Sequence, residues 1–263
     1  MRYLDLTLPT AAENLALDEA LLEEAEASAT PIETLRFWEP RQTAAVVGRS
    51  SQVDAELRVE LCRQMGIPIL RRISGGATVL TGPGCLMYSL VLSYERRPKL
   101  RLVSHAHRFV LGTMVAAMAP LVYGVQCRGT SDLAIGELKF SGNSVRCRRR
   151  HLLYHGTLLY DFPLPMIEMC LAMPPRVPDY RGNRTHATFV TNLPLEAETI
   201  QQALTIVWDA HESYGDWPRQ RTAQFVREKY SRAEWNGYEN TTATRKPRKT
   251  TLKIAKGTTE ENE

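Results

Sequence analysis

The chain has 263 residues, of which 43% are hydrophobic and 24% charged, a composition typical of an ordinary globular domain. A chain of this length buries enough apolar surface to fold without a disulfide or a structural metal. It has no run of about 18 apolar residues, and its first residues lack the pattern of a secretory signal, so we expect neither a membrane span nor export. The five cysteines are odd in number and contain no CxxC pair, which indicates reduced thiols and a cytoplasmic protein.

The positive charge is concentrated near the C-terminal end. The whole chain carries a formal net charge of +4, and residues 241–263 hold six Lys and Arg against three Glu. The other 240 residues are therefore almost neutral, which is atypical of a nucleic-acid-binding domain. Residues 241–263 have few apolar side chains to offset the entropy of ordering, so we predict a disordered basic tail there. No repeat or Gly/Ser linker interrupts residues 1–240, which we predict to be one domain.

The first part of the chain predicts one long helix followed by short strands. Thr10 and Glu13 have the spacing of a capping box, and leucines at helical spacing follow to about residue 27. Beyond Pro31, short runs of β-forming residues predict five strands, with one more helix between two of them, closed by Gly66. The predicted strands are 34–38, 44–48, 68–73, 78–80 and 86–93, and the helix is 53–65.

The second part predicts a long helix, two strand pairs and two closing helices, and the whole pattern predicts the α+β class. Ser104 is the expected N-cap of the first helix. Residues 173–193 are rich in turn formers and proline, which is typical of a long surface loop with a functional role. The predicted ranges are helix 104–121, hairpin 133–135 with 138–141, strand pair 143–148 with 152–160, and helices 196–214 and 219–230.

The first candidate for chemistry is the segment 71–78, which reads Arg-Arg-Ile-Ser-Gly-Gly-Ala-Thr after an apolar run. Arg71 and Arg72 place fixed positive charge beside a Gly-Gly turn whose backbone N–H groups are accessible. Both kinds of donor suit a phosphate or another oxyanion. The alternative is a hairpin turn with solvated arginines, because the spacing matches neither a P-loop nor a dinucleotide-binding pattern.

The second candidate is Lys139, which alternates with apolar neighbours on a predicted strand and is followed by Gly142. Its amine could bridge a phosphate and a carbonyl group, while the glycine admits the ligand. The alternative is an exposed lysine on a strand. His155 lies in an apolar strand, where we expect a hydrogen-bonded core histidine rather than a metal ligand.

The third candidate is Cys127, which precedes Arg128 in a predicted loop. A nucleophilic thiolate needs partial exposure and a nearby positive charge, and Cys127 is the cysteine that best meets both conditions. The alternative is a thiol without a role. Cys62, Cys85 and Cys170 are predicted to be small apolar core residues.

Taken together and in this order, these motifs resemble the family of lipoate–protein ligases and octanoyltransferases, which shares its catalytic domain with the biotin–protein ligases. The resemblance rests on five segments: 14–22, 36–49, 71–89, 131–144 and 155–159. It implies one α+β catalytic domain of the biotin/lipoyl ligase type, with a mixed, largely antiparallel sheet flanked by helices. It also implies attachment of a lipoyl or octanoyl group to a lysine of an acceptor protein.

The resemblance assigns roles to individual residues. Lys139 corresponds to the family's active-site lysine, and Asp132 corresponds to a partner of the nucleotide and of Mg²⁺. The residues that correspond to the family's acyl-binding loop, beside the adenylate phosphate, are Arg71, Arg72, Ser74, Gly75, Gly76 and Ala77. Those that correspond to the walls of its acyl tunnel are Gly142, His155, Gly156 and Thr157. Two departures concern the phosphate side. Ala77 replaces a third glycine, and residues 80–85 lack the family's His-Asp and Gly-Asn pairs.

Three hypotheses about activity stay open at this point. A ligase would activate lipoate or octanoate with ATP and Mg²⁺ and transfer the acyl group to an apo lipoyl domain or to the glycine-cleavage H protein. Residues 216–263 are too short for the accessory domain of bacterial ligases, so a separate accessory subunit would complete it. A transferase would take octanoate from acyl carrier protein as a Cys127 thioester, without ATP. The third hypothesis is a non-catalytic binder of lipoate or of the acceptor. The match over 131–159 favours the ligase.

Overall fold

A computed structural model describes residues 1–237, and the predicted basic tail at 241–263 lies outside the described residues. The strands are β1 (Arg2–Asp5), β2 (Thr34–Trp38), β3 (Ala44–Val47), β4 (Ile69–Arg71), β5 (Val79–Thr81), β6 (Cys85–Ser93), β7 (Val125–Arg128), β8 (Asp132–Ile135), β9 (Leu138–Cys147), β10 (His151–Leu159) and β11 (Glu212–Ser213). The helices are α1 (Ala11–Ala27), α2 (Val53–Glu56), α3 (Val59–Gln64), α4 (Val103–Met118), α5 (Pro165–Cys170), α6 (Ala197–Val207), α7 (Arg219–Phe225) and α8 (Ala233–Asn236).

The strands form two sheets. The larger one has the order β11-β1-β2-β6-β10-β9-β8-β7, and its β1 pairs in parallel with both β11 and β2, whereas the remaining pairs are antiparallel. The smaller sheet has the order β4-β3-β5 and is also mixed. This mixed, largely antiparallel architecture with flanking helices confirms the predicted α+β class. The division into a domain of residues 1–240 and a tail stays a prediction.

The larger sheet is buried on both faces because helices cover each of them. Successive residues of β6 point to opposite sides, so Met87 and Val91 join the core under α1 and the smaller sheet, while Leu86 and Leu90 join the core under α4 and α6. This double burial explains why β6 is a continuous apolar run rather than an alternating one. Within the part of the chain that the structure describes, no helix is both long and apolar enough to span a bilayer.

The N-terminal helix follows the sequence closely. Thr10 is its N-cap, the Thr10 side chain accepts a hydrogen bond from the Glu13 N–H, and the Glu13 carboxylate accepts one from the Thr10 N–H. This reciprocal arrangement confirms the predicted capping box, and α1 ends at Ala27 as expected.

Other predicted boundaries are wrong for local reasons. The helix predicted at 53–65 is divided into α2 and α3, because Leu57 between them has an extended backbone and bridges to Leu171. The helix expected from Ser104 begins one residue earlier without a side-chain cap, and it ends at Met118. The helix predicted to reach residue 214 ends at Val207, shortly before Asp209 adopts a left-handed backbone with φ of 49°.

The sequence pattern does not predict five of these elements, namely β1, β7, α5, β11 and α8, and β11 lies where the helix 196–214 is predicted. The predicted loop around Cys127 is therefore wrong, because Cys127 lies within β7 and pairs with Leu133 of β8. The pairing partner lies only six residues away in the chain. Strand pairing overrides the weak local preference of the Val-Gln-Cys-Arg segment.

Candidate active site

A cavity of 390 Å³ lies between the two sheets, beside α1, and residues of the 173–193 loop line part of it. One part of the lining consists of the buried core residues Leu15, Val46 and Met87. Another part is polar, and there the side chains of Lys139 and Ser144 are only partly buried. The cavity therefore has an apolar, enclosed part and a polar, accessible part. This arrangement suits an amphiphilic substrate.

Arg72 holds the Gly-Gly-Ala turn from inside the protein. Its guanidinium is buried and donates to the carbonyl oxygens of Val46, Gly75 and Ala77, and to the Ser74 hydroxyl. Because these donors are used internally, Arg72 shapes the turn instead of presenting a free fork to a ligand. Burial also lowers the pKa of Arg72 to about 10, which leaves the group charged at neutral pH.

The turn itself presents unused backbone donors. Gly75, Gly76 and Ala77 are exposed and line or border the cavity, and within residues 1–237 their three N–H groups donate to no protein acceptor. Gly76 has φ of 87°, a left-handed conformation that favours glycine. Successive free N–H groups of this kind form a concave site for an anion.

Arg71 points away from the cavity, in contrast to its place in the predicted acyl-binding loop. Its guanidinium donates to the carbonyl oxygens of Gly48 (2.7 Å), Ser51 (2.9 Å) and Trp235 (2.9 Å). Burial lowers its pKa. Arg71 thereby ties β4 to α8, and the structure places only one of the two adjacent arginines at the site.

Lys139 is held by a carboxylate at the polar part of the cavity. Its Nζ lies 2.7 Å from Oδ1 of Asp132, and the other oxygen of Asp132 accepts a hydrogen bond of 2.8 Å from the Tyr180 hydroxyl. Burial and the neighbouring Asp132 raise the pKa of Tyr180, which therefore remains a neutral donor. The prediction that Lys139 and Asp132 belong to one site agrees with this geometry.

The 173–193 loop fixes the backbone of Lys139. The Lys139 N–H donates to the Phe189 carbonyl, and the Lys139 carbonyl accepts from the Thr191 N–H, both at 2.9 Å. Phe189, Arg176 and Pro178 from the same loop line the cavity. The loop thus pairs with β9 at Lys139 through two backbone hydrogen bonds. It contributes to the candidate site by positioning this residue.

Gly142, Gly156 and Thr157 form the wall opposite the turn. A Cβ atom on Gly142 would lie 3.1 Å from Nζ of Lys139, and one on Gly156 would collide with the Asn143 side chain. The Gly142 N–H donates to the Thr157 hydroxyl at 3.3 Å. The glycines therefore make room for the lysine and for close contact between β9 and β10.

His155 belongs to a buried chain of hydrogen bonds that ends at the turn. The Arg72 Nε donates to the Ser74 hydroxyl (3.1 Å), which lies 2.5 Å from Nε2 of His155. On its other side, Nδ1 of His155 faces Oδ2 of Asp18 at 3.5 Å. The imidazole ring is therefore fixed between the Ser74 hydroxyl and the Asp18 carboxylate.

Asp18 is the charged centre of that chain, and the sequence prediction missed its role. Arg36 donates to its Oδ1 at 2.5 Å and Ser89 donates to its Oδ2 at 2.7 Å, all in the protein interior. Burial disfavours the charge of Asp18, but Arg36 and His155 outweigh it and hold the pKa of the carboxyl below its ordinary value. The available signal was a single charged residue, Arg36, in the otherwise apolar β2, and an acidic residue, Asp18, at helical spacing from Leu21 and Leu22 of α1.

Cys127 does not belong to the cavity. Its thiol is exposed on β7, its strand lies at the edge of the larger sheet, and it is absent from the cavity lining. Desolvation by the surrounding protein raises the pKa of the thiol, whereas a nucleophilic cysteine needs a lowered pKa. Cys62, Cys85 and Cys170 are fully buried, as predicted.

The chain is similar in sequence to a known protein family. A family model described as the lipoyl protein ligase A/B catalytic domain matches residues 10–207. The chain is 31% identical over 197 residues to a protein of Aeropyrum pernix assigned as a lipoate-protein ligase A, covering 75% of this chain and 70% of that protein. It is also 30% identical over 181 residues to the octanoyltransferase LipM of Oceanobacillus iheyensis, covering 63% of this chain and 66% of that one. Among the first relatives, the match spans from 42% to 71% of the relative's own length.

The fold has a close counterpart among solved structures. It superposes with a TM-score of 0.75 on a structure from a study of a bi-partite lipoate protein ligase and its E2 lipoyl domain from Thermoplasma acidophilum. The match covers 89% of this chain and 95% of that chain, at 22% identity. At this identity the likeness concerns the fold, and the chemistry has to be argued from the residues of this chain.

Proposed function

The chain belongs to the lipoyl protein ligase A/B catalytic domain family, and from this premise we propose that it joins lipoate or octanoate to a lysine of an acceptor protein through an acyl-adenylate. The carrying observation is the juxtaposition of three features in one cavity: an apolar enclosed part, the free N–H groups of the turn, and the amine of Lys139. An acyl-adenylate needs all three, for its chain, its phosphate and its carbonyl oxygen.

Each part of the cavity has a separate role in the proposed reaction. Leu15, Val46 and Met87 enclose the hydrocarbon chain and exclude water from it. The N–H groups of residues 75–77 donate hydrogen bonds to the phosphate oxygens of the adenylate. Lys139 donates to the acyl carbonyl oxygen and stabilises the negative charge that develops there. The acceptor amine forms the new C–N bond, the carbonyl-to-phosphate C–O bond breaks, AMP leaves with the electron pair, and the proton lost by the amine passes to solvent.

The position of Cys127 supports the ligase over the transferase. A thioester on Cys127 would form on an edge strand whose Cys127 does not line the cavity, with β8 between it and Lys139. The raised pKa of the thiol also weakens it as a nucleophile at neutral pH. By contrast, the side chains that we assign to the ligase reaction line the cavity.

Asp132 is not well suited to hold Mg²⁺ as arranged. One of its oxygens is paired with Lys139 and the other with the Tyr180 hydroxyl. Within residues 1–237 no group of three His, Cys, Asp or Glu side chains is arranged to hold a metal ion. Asp132 is better explained as the group that orients Lys139. We therefore assign no step of the reaction to a magnesium ion held by Asp132.

A lipoyl domain is the acceptor that we propose, and the H protein and a separate accessory subunit remain further predictions. The proposal rests on the family and on the accessible polar part of the cavity, where Lys139 and Ser144 are partly exposed. An acceptor lysine reaches the acyl carbonyl from that side without displacing the hydrocarbon chain.

One assay separates the three hypotheses. The protein is incubated with an apo lipoyl domain and either octanoate, ATP and Mg²⁺, or octanoyl carrier protein, and the acceptor mass is measured with and without an accessory subunit. Product that requires ATP supports the ligase, and Cys127→Ser should then leave the yield unchanged. Product from the carrier alone, lost in Cys127→Ser, identifies the transferase and contradicts our proposal. Acyl binding without product in either arm, even with the accessory subunit, identifies a binder.

A further inference from the structure

Arg181, in the 173–193 loop, is a buried arginine whose terminal nitrogens have no partner in the described protein. The residue lines the substrate cavity and is only 4% exposed. Its Nε donates to the Arg184 carbonyl at 3.0 Å, whereas within residues 1–237 neither Nη1 nor Nη2 donates to an acceptor, and Nη2 is buried. A buried donor on a charged group is costly when it has no partner. The free edge of this guanidinium therefore indicates a binding partner from outside the chain.

The charge of Arg181 is not compensated by an ion pair among the described residues. The two carboxylates whose charges act on it are those of Glu168 and Asp132. Glu168 faces Nδ1 of His186 at 3.6 Å, and Asp132 is held by Lys139 at 2.7 Å. Because both acids are engaged elsewhere, Arg181 keeps an unpaired positive charge beside the cavity.

Arg181 and the Gly-Gly-Ala turn lie at different ends of the cavity. The turn contacts β9 at Ser144, whose hydroxyl donates to the Gly75 carbonyl at 2.9 Å. The loop contacts β9 at Lys139, whose N–H donates to the Phe189 carbonyl, and the guanidinium of Arg181 lies 4.6 Å from the centre of the Phe189 ring. Five residues of an extended strand, about 17 Å, separate these two points of contact. A phosphate held by the turn therefore leaves Arg181 without a partner.

The loop that carries Arg181 is basic and partly exposed. Residues 173–193 contain three arginines and one acidic residue, Asp179. Arg176 is exposed, lines the cavity, and makes neither an ion pair nor a hydrogen bond within the part of the chain that the structure describes. Exposed cations at the edge of a cavity attract a partner with an acidic surface.

We infer that Arg181 binds a carboxylate side chain of the acceptor protein, close to the acceptor lysine, and that Arg176 attracts the same acidic surface. This inference rests on the proposed function, because it concerns the acceptor of that reaction. During acyl transfer the phosphate is assigned to the turn and the acyl carbonyl to Lys139, so the acceptor is the reactant left to supply an anion. The free Nη1–Nη2 edge matches the two oxygens of a carboxylate. Arg181 thereby selects acceptors that carry an acidic residue beside the target lysine.

A double-mutant cycle between the two proteins tests the inference. Isothermal titration calorimetry of the full chain with an apo lipoyl domain measures acceptor affinity without acyl transfer, and ATP is titrated separately. Arg181→Gln removes the charge, and Arg181→Lys keeps the charge but not the planar fork. In the lipoyl domain, each acidic residue that flanks the target lysine is changed in turn to its amide. Arg108→Gln is the matched control, because Arg108 is exposed and does not line the cavity. Melting temperatures establish that each variant is folded.

We expect Arg181→Gln to weaken acceptor binding by about tenfold to a hundredfold, the effect of a lost charge-assisted hydrogen bond. Arg181→Lys should weaken it less, and Arg108→Gln should bind the acceptor as the wild type does. One amide variant of the acceptor should weaken binding to the wild type by a similar factor and have no further effect on Arg181→Gln. ATP should bind the wild type and Arg181→Gln equally.

Unchanged acceptor affinity in Arg181→Gln, independent effects for every acceptor variant, or no binding of the acceptor by the wild type would overturn the inference. So would weaker ATP binding with unchanged acceptor affinity, which would assign Arg181 to the nucleotide. If Arg181→Gln does not fold, Arg181→Lys takes its place, and an equal response of Arg181→Lys and the wild type to every acceptor variant would overturn the inference. Because the titration contains no acyl group, a lost coupling contradicts this inference alone, whereas retained coupling without acyl transfer contradicts the proposed function alone.

Discussion

The two sides of the substrate cavity treat polar groups in opposite ways. On the side of α1, both oxygens of Asp18 have partners inside the protein, and His155 and Ser74 continue the chain. On the side of the turn, the N–H groups of residues 75–77 are exposed and have no protein acceptor among the described residues. These donors are available to an anionic ligand, whereas the paired groups beside α1 are not. The comparison therefore separates groups that position the site from groups that bind.

The largest effect on activity is expected at Lys139, on the binding side. Lys139→Ala should lower kcat by about 10²–10³-fold, because it removes a preorganised donor to the charge that develops on the carbonyl oxygen. Single-turnover transfer to an apo lipoyl domain, followed by mass spectrometry, measures this loss. Lys99→Ala is the control at an exposed lysine. Retained turnover in Lys139→Ala would remove that residue from its role.

On the positioning side, the largest effect is expected on stability. Asp18→Asn leaves Arg36 buried without its counter-charge, and we expect a loss of about 3–5 kcal/mol in the free energy of unfolding, measured with urea. The double variant Asp18→Leu with Arg36→Met should lose less than the single variant, since it removes both charges together. Equal stability of Asp18→Asn and the wild type would show that the pair contributes nothing.

Gly142→Ala links the two sides, because its new methyl group would contact Lys139 and not the Asp18 chain. The added Cβ lies 3.1 Å from Nζ of Lys139, whose flexible side chain has to move. We expect kcat to fall by up to about 10²-fold, as for other small displacements of a reacting group, with little change in melting temperature. Gly112→Ala on α4 is the matched control, because a Cβ there meets no atom within 4 Å. Unchanged activity in Gly142→Ala would indicate that the position of the amine is not critical.

The smallest expected effect is the pH dependence of the Asp18 contribution. Because the pKa of Asp18 is lower in the folded state, its contribution is present above the unfolded pKa, about 3.9, and is lost as the pH falls below that value. The difference in unfolding free energy between wild type and Asp18→Asn should therefore be constant near neutral pH and decrease below about pH 4. A difference that grows on acidification would contradict the assigned sign.

The structure brings together candidate residues that the sequence offers in short separate segments. Gly76 and Ala77 of the turn line the same cavity as Lys139 and Asp132, and the roles of these residues stay predictions. The sequence does not predict which way a side chain points when two neighbouring residues have the same chemistry. Arg71 and Arg72 are adjacent and chemically identical, yet one binds α8 and the other shapes the turn.

By itself, the sequence determined the α+β class, the capped first helix, the apolar strands and the family, because helix caps, residue periodicity and ordered motifs are local properties of the chain. Only the tertiary structure decided which polar groups are satisfied. The Asp18–His155 chain joins α1 to β10, and Arg181 lines the same cavity as Lys139 without an acceptor for its terminal nitrogens among residues 1–237. Hydrogen-bond partnership depends on distances of about 3 Å between segments that are distant in the chain, and no local pattern encodes such distances.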